Sequence, residues 1–234
     1  MKKQMPGICF FVGVYRGILL TFVILCVIIP SNMSSLIIGG VLVIALEEKI
    51  LKEGTVLPGD ILKVDCFLNH RIDVDFLLEM GKEIASLFEN CGVNKILTIE
   101  TSGIPIAFAA AQFMGVPVVF AKKDKSGNIS DKVYSSRVES FTRKNIYDAV
   151  VSKEYLSKED KVLVIDDFLA KGNALTGLID ILNQADAKLI GCAIAIEKGF
   201  QGGGDALREK GIRVESLAII ESMTDDSLSF RSEM

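Results

Sequence analysis

Runs of aliphatic and β-branched residues recur along this chain with helix-compatible stretches between them, and that alternation limits the fold more than any other feature. The runs are KILTIE (Lys95 to Glu100), VPVVFA (Val116 to Ala121), KVLVI (Lys161 to Ile165), KLIGCAIAI (Lys188 to Ile196) and a last one from Arg213 to Ile220. They are nearly continuously apolar, as expected for strands buried on both faces of a parallel sheet. Between them, Phe76, Leu77, Met80, Ile84, Leu87 and Phe88 repeat at helical spacing, which predicts an amphipathic helix over 74–89. Pro105 is expected to open a helix that stops at Gly115, and further helices are predicted over 174–185 and 205–210. Leu46 to Leu51 has helical spacing up to Gly54, and Ile61 to Val64 is a short strand candidate. Strand, helix, strand at this spacing is the pattern of an α/β fold with a twisted parallel sheet flanked by helices. Such a sheet binds its ligand at the carboxyl ends of its strands.

Two stretches break the pattern. Residues 122–155 are long and charged, with only short β-like pieces at Val133-Tyr134 and Arg137-Val138, and are expected to be a functional or mobile segment. Its opening run, Lys122-Lys123-Asp124-Lys125, fits a solvated face or a contact to a diphosphate or partner subunit. The tail from Thr224 is polar and expected to be mobile.

Composition removes several chemistries. His70 is the only histidine, so a His-rich metal site cannot be built, and His70 itself is expected to be a hydrogen-bonded structural residue. The five cysteines include no C-x-x-C pair, which fits reduced thiols in a cytoplasmic protein. A net charge of -4 argues against a nucleic-acid partner.

The informative stretch is VLVIDDFLAKGNALTG, Val162 to Gly177. An apolar strand runs into two acids, Asp166 and Asp167. The loop Ala170-Lys171-Gly172-Asn173-Ala174 follows, and then a helix. Unpaired N–H groups at the helix start, small residues and the positive dipole end together suit a phosphate. Paired carboxylates beside it suit the vicinal hydroxyls of a ribose or a hydrated Mg²⁺. The same residues also suit a plain β-α turn whose acids cap the helix.

VLVIDDFLAKGNA resembles the phosphoribosyl-diphosphate-binding motif of the type I phosphoribosyltransferases. Within that family the likeness is to the xanthine phosphoribosyltransferase branch, carried by LKVDCFLNH (Leu62 to His70), TIETSGI (Thr98 to Ile104), VPVVFA and IEKGFQ (Ile196 to Gln201), from about Val43 onward. The resemblance implies the type I phosphoribosyltransferase fold with a flexible lid segment and a small hood. It implies transfer of a phosphoribosyl group to xanthine, with Mg²⁺ accompanying the donor, by a homodimer. Ala170 to Ala174 would hold the 5-phosphate, and Asp166 and Asp167 would contact the ribose as the catalytic pair. Glu100, Thr101, Ser102 and Gly103 would face the diphosphate, and Leu62, Asn69 and Lys198 the base; no direct protein metal ligand is implied. A relative preferring guanine or hypoxanthine, or a non-catalytic sensor of phosphoribosyl diphosphate, is the alternative.

The chain departs from the family pattern in places. Lys171 and Asn173 stand where the cradle usually reads A-N-G-Q-A or A-N-G-E-A. Gly199 to Gly204 (GFQGGG) replaces S-F-Q-P-G-R, so this turn is expected to be flexible and lacks the arginine. Residues 1–42 lie outside the resemblance, which begins a domain at 43–234. Lys2, Lys3 and Arg16 are their only charges. Three readings stand: a start assigned too far upstream, a membrane anchor that would bring the chain to a membrane, or an extra soluble pair of helices.

Overall fold

The computed structural model describes residues 10–15, 18–23, 45–124, 132–139 and 146–231. The chain divides into two compact units, Met1–Ile37 and Ile38–Met234. In the first, strands β1 (Phe10–Tyr15) and β2 (Ile18–Val23) pair antiparallel. Strands stand where one expectation placed helices, and the density of Phe, Val, Ile and Tyr in these twelve positions favours an extended backbone. The other two readings of 1–42 turn on residues outside the described ones. Among the described residues no helix is long and apolar enough to cross a membrane.

The second unit opens with helical residues 45–53 (α1). A hairpin of β3 (Thr55–Leu57) and β4 (Ile61–Lys63) and a single π-helical turn, Asp65–Asn69, follow. Then come α2 (Val74–Leu87), β5 (Lys95–Ile99), α3 (Gly103–Met114), β6 (Val118–Asp124), β7 (Val133–Glu139) and β8 (Ile146–Ser152). The chain continues through β9 (Lys161–Leu169), α4 (Asn173–Gln184), β10 (Lys188–Lys198), α5 (Gly203–Glu209), β11 (Val214–Met223) and β12 (Leu228–Phe230). One eight-stranded sheet runs in the order β12-β11-β10-β9-β5-β6-β8-β7. Its five central strands, β11 to β6, are parallel, as the alternation required.

Both faces are buried. Leu163, Ile165, Ala193 and Ala195 pack with α2 and α3 through Met80, Ile84 and Ile106. Their neighbours Val162, Val164, Cys192 and Ile194 point the other way, onto Leu175, Leu178 and Ile181 of α4. The period of two along each strand separates these clusters. Gly81 lets α2 and α3 meet closely, since a Cβ there would stand 2.6 Å from Ala109 Cβ and 2.7 Å from Ala109 O.

Three expectations are corrected. Within 122–155, where only short β-like pieces were expected, two full strands form, and β8 pairs antiparallel with β6 (Lys122↔Val150). These strands bury only Val138, Ala149 and Val151 and turn polar residues outward, so their apolar signal is dilute. The edge strand β7 is covered from α4: Gln184 Nε2 donates to Ser135 O (2.7 Å), Ser135 N donates to Gln184 Oε1 (3.2 Å), and Asn173 Nδ2 donates to Glu139 O (3.1 Å). Such cover protects an open sheet edge. The expected lid falls largely on 125–131 and 140–145, outside the described residues. The polar tail holds β12, paired with β11, with Leu228 and Phe230 packed on the core. Helix α3 begins two residues before Pro105, whose ring is tolerated within a first turn.

Candidate active site

Strand order reverses between β5 and β9. From β5 the chain steps outward to β6, whereas β9 leads the other way to β10 and β11. The pairing of β9 with β5 ends at Leu97↔Val164, while β9 stays paired with β10 as far as Glu197↔Leu169. The carboxyl ends of β5 and β9 therefore part, and a crevice opens where a doubly wound sheet holds its ligand. A cavity of about 560 Å³ occupies it.

Every candidate site residue named from the sequence lines this cavity except Gly103: Leu62, Asn69, Glu100, Thr101, Ser102, Asp166, Asp167, Ala170, Lys171, Gly172, Asn173, Ala174 and Lys198. Gly103 lies beneath the wall. A Cβ there would collide with Thr98 Oγ1 and stand 3.1 Å from Asp166 Oδ1, so glycine lets the start of α3 seat against β5 and β9. His70, expected to be a hydrogen-bonded structural residue, is exposed and outside the cavity lining, and among the described residues its side chain has no hydrogen-bond partner.

The two acids occupy different environments. Asp166 is 5% exposed, and its Oδ1 accepts the Asp167 N–H at 3.0 Å. Burial and the adjacent Asp167 charge push its carboxyl well above the usual range. Asp167 is only half-buried and opens to the cavity. Tyr147 of β8 also lines the cavity, and burial, then the Asp166 charge, push its hydroxyl up to about 12. Lys123 Nζ lies 5.2 Å from the Tyr147 ring centre.

The cradle is a backbone structure. Gly172 caps α4 at φ 83°, the left-handed region that glycine enters without penalty. Its carbonyl accepts the Thr176 N–H at 2.9 Å, which starts the helix and leaves the first-turn amides directed at the loop. Asn173 turns its amide onto Glu139 O, so this departure from the family pattern ties the cradle to β7. The turn after Lys198 is also corrected: it is packed rather than loose. Gly203 N donates to Ala170 O at 3.2 Å, and Gly203 and Gly204 are buried where α5 begins. Close approach of two backbones is what these glycines supply.

Across the crevice, the Glu100 carboxylate accepts the Lys123 N–H at 2.5 Å while the Glu100 N–H donates to Ala121 O at 3.0 Å. Glu100 thus anchors its loop, leaving Thr101 and Ser102 at the cavity. At the far end, Lys198 Nζ donates to Asp60 O at 2.6 Å and lies 5.6 Å from the centre of the Phe168 ring. Burial lowers the Lys198 pKa, and Asp60 partly offsets this. The hood is braced by Lys49, which reaches Asp73 Oδ2 (2.8 Å) and Glu53 Oε1 (3.2 Å) and sits over the Phe67 and Phe76 rings. Phe168, Tyr147 and Glu139 were not singled out from the sequence. Phe168 lay inside the quoted motif, where its place after two acids was the available signal; the other two belong to β8 and β7, in a segment that showed only short β-like pieces.

A small-residue cradle, a half-buried acid beside it and a strand-end lysine line one crevice of a sheet with the type I phosphoribosyltransferase fold. Residues 76–212 match the phosphoribosyl transferase domain, and the chain belongs to that family of glycosyltransferases. It is 56% identical over 188 residues to xanthine phosphoribosyltransferase 1 of Clostridium perfringens, covering 80% of this chain and 99% of that protein. It is 52% identical over 190 residues to xanthine phosphoribosyltransferase of Lachnoclostridium phytofermentans, covering 80% and 98%. The fold matches adenine phosphoribosyltransferase from Thermoanaerobacter pseudethanolicus, with a TM-score of 0.60, 18% identity, and 74% and 98% of the two chains covered.

Proposed function

We propose that this enzyme transfers the 5-phosphoribosyl group of phosphoribosyl diphosphate to N9 of xanthine, yielding xanthosine monophosphate and diphosphate in purine salvage. The observation that carries this reading is the placing of cradle, Asp167 and Lys198 around one crevice.

The amides of Ala170 to Ala174 hold the 5-phosphate at the start of α4. Asp167 accepts from the ribose hydroxyls and stabilises positive character that builds on the ring as diphosphate leaves. Asp166, engaged by the Asp167 N–H, orients that neighbour. Thr101 and Ser102 meet the diphosphate. Leu62 and the Phe168 ring flank the purine, Asn69 can donate and accept at its edge, and Lys198 donates to a carbonyl oxygen. Asp167, half-buried at the cavity, would face a hydrated Mg²⁺ that accompanies the donor, and the ion's chemistry would be to neutralise diphosphate charge. Catalysis is then positioning and charge stabilisation, and no nucleophilic side chain is required. The relatives' names support xanthine over other purines. The thiols of Cys66, Cys91 and Cys192 are unpaired, which supports a cytoplasmic setting. Exposed Phe108 and Phe113 on α3 support a homodimer, which sedimentation velocity would register as twice the chain mass.

A spectrophotometric assay with Mg²⁺, phosphoribosyl diphosphate and xanthine, guanine, hypoxanthine or adenine in parallel tests the assignment. Xanthine should give the highest kcat/KM; a preference for guanine or hypoxanthine would transfer the enzyme to that specificity. Lys198→Ala should raise KM for xanthine about tenfold or more while KM for the donor changes less than about threefold. Because burial lowers the Lys198 pKa, its charge is lost at a lower pH than on a solvated lysine, so KM for the base should rise on the alkaline side first. Equal effects on both substrates would refute a base contact.

A further inference from the structure

Lys198 is followed by a turn that reaches the cradle, and this turn is held by charges from outside the cavity. Glu197, at 0% exposure, carries a fork from Arg208 (Nη1 at 2.9 Å, Nη2 at 2.6 Å) and a hydrogen bond from Ser216 Oγ. Arg208 Nη1 also reaches Asp205 Oδ1 at 3.1 Å in the first turn of α5. Arg231, directly after β12, meets both Asp205 oxygens at 3.4 Å and Glu221 Oε2 at 2.8 Å. Its Nη2 would be 2.9 Å from a Cβ on Gly199, so the guanidinium fills the space that this glycine leaves.

We propose that Arg231, acting through Asp205 and α5, is a positioning residue for the site: it holds the turn 199–204 that carries Lys198 at one end and grips Ala170 O at the other. The geometry is a continuous chain of contacts. Arg231 closes over Gly199, next to Lys198, and holds Asp205. Asp205 shares Arg208 with buried Glu197, and the Gly203 N–H of the same short helix bonds to the cradle carbonyl. Partly exposed ion pairs contribute little to stability. Geometry is more sensitive, since a misplacement of about 1 Å can cost about 10²-fold in rate. The C-terminal strand thereby becomes part of the machinery although none of its residues lines the cavity.

The inference rests on the proposed role of Lys198 and the cradle, so Lys198→Ala is run beside it on the full chain. Arg231→Ala should raise KM for xanthine and for phosphoribosyl diphosphate by about 5- to 10-fold each, with kcat falling less than about threefold. Arg231→Lys keeps the charge without the planar fork and should recover part of both losses. A drop in melting temperature with both KM values unchanged would overturn the proposal and leave Arg231 a structural residue. Equal damage from Ala and Lys would also overturn it, because the charge pair would then not carry the effect. If Lys198→Ala raises KM for xanthine while Arg231→Ala raises neither, the positioning role fails and the base site stands. If neither variant moves a KM, both fail.

Discussion

Asp167→Asn should lower kcat/KM for phosphoribosyl diphosphate by about 10²- to 10³-fold, with the melting temperature within about 2 °C of the parent. The substitution keeps size and shape. It removes a negative charge beside the sugar and offers NH₂ donors where the ribose hydroxyls need an acceptor. Asp167 is half-buried at the cavity, so the folded protein loses little. Asp166→Asn is the contrasting arm. Asp166 is almost fully buried, and its Oδ1 already serves the Asp167 N–H, a bond that an asparagine oxygen can accept equally. Burial pushes the Asp166 carboxyl up, so a neutral amide removes a buried charge rather than a useful one, and stability should hold or rise. Its effect on turnover should be at least tenfold smaller than that of Asp167→Asn. Steady-state kinetics and thermal melts on both variants check the pair; Asp167→Asn turning over within about threefold of the parent would remove that acid from the mechanism.

This contrast also marks what was legible in the amino-acid sequence. The parallel core was legible because its strands are buried on both faces and therefore read as unbroken apolar runs. Asp166 and Asp167 were legible as a pair, since two acids at the end of such a run are conspicuous. Their difference was not, because the exposure of each depends on β5 parting from β9 after Val164 while β10 continues alongside. Strands β7 and β8 showed as no more than short β-like pieces for the opposite reason: one face is polar, and the β7 edge is covered by Gln184 and Asn173, which lie 49 and 34 residues in sequence from Ser135 and Glu139 and which only the folded chain brings close. The turn at Gly199 to Gly204 was misread as loose. Four glycines suggest freedom when taken alone; here Gly199, Gly204 and Gly203 mark places where Arg231, Glu197 and the Ala170 carbonyl leave no room for a Cβ.

The steric reading of that turn carries the second large effect. Gly203→Ala places a methyl group onto Ala170 O, 2.5 Å from Lys171 C and 2.7 Å from Gly172 N. All of these are backbone atoms of the cradle, so relief cannot come from turning a side chain. Either α5 withdraws, breaking the Gly203 N–H bond to Ala170 O, or the loop shifts toward the space for the 5-phosphate. Both outcomes displace the amides that hold the donor, and kcat/KM for phosphoribosyl diphosphate should fall about 10²-fold. Overpacking of this kind costs about 1–3 kcal/mol, so lost stability must be separated from lost alignment. Gly81→Ala provides the control. Its Cβ would stand 2.6 Å from Ala109 Cβ and 2.7 Å from Ala109 O, an equally tight collision between α2 and α3 and outside the cavity lining. At a temperature where both variants are fully folded, Gly81→Ala should match the parent in KM for the donor within about threefold, and Gly203→Ala should not. Inorganic phosphate as a competitive inhibitor reads the cradle directly: its inhibition constant should rise in Gly203→Ala and stay level in Gly81→Ala. A cradle that binds phosphate and donor unchanged with alanine at 203 would mean that the 199–204 turn does not set its shape.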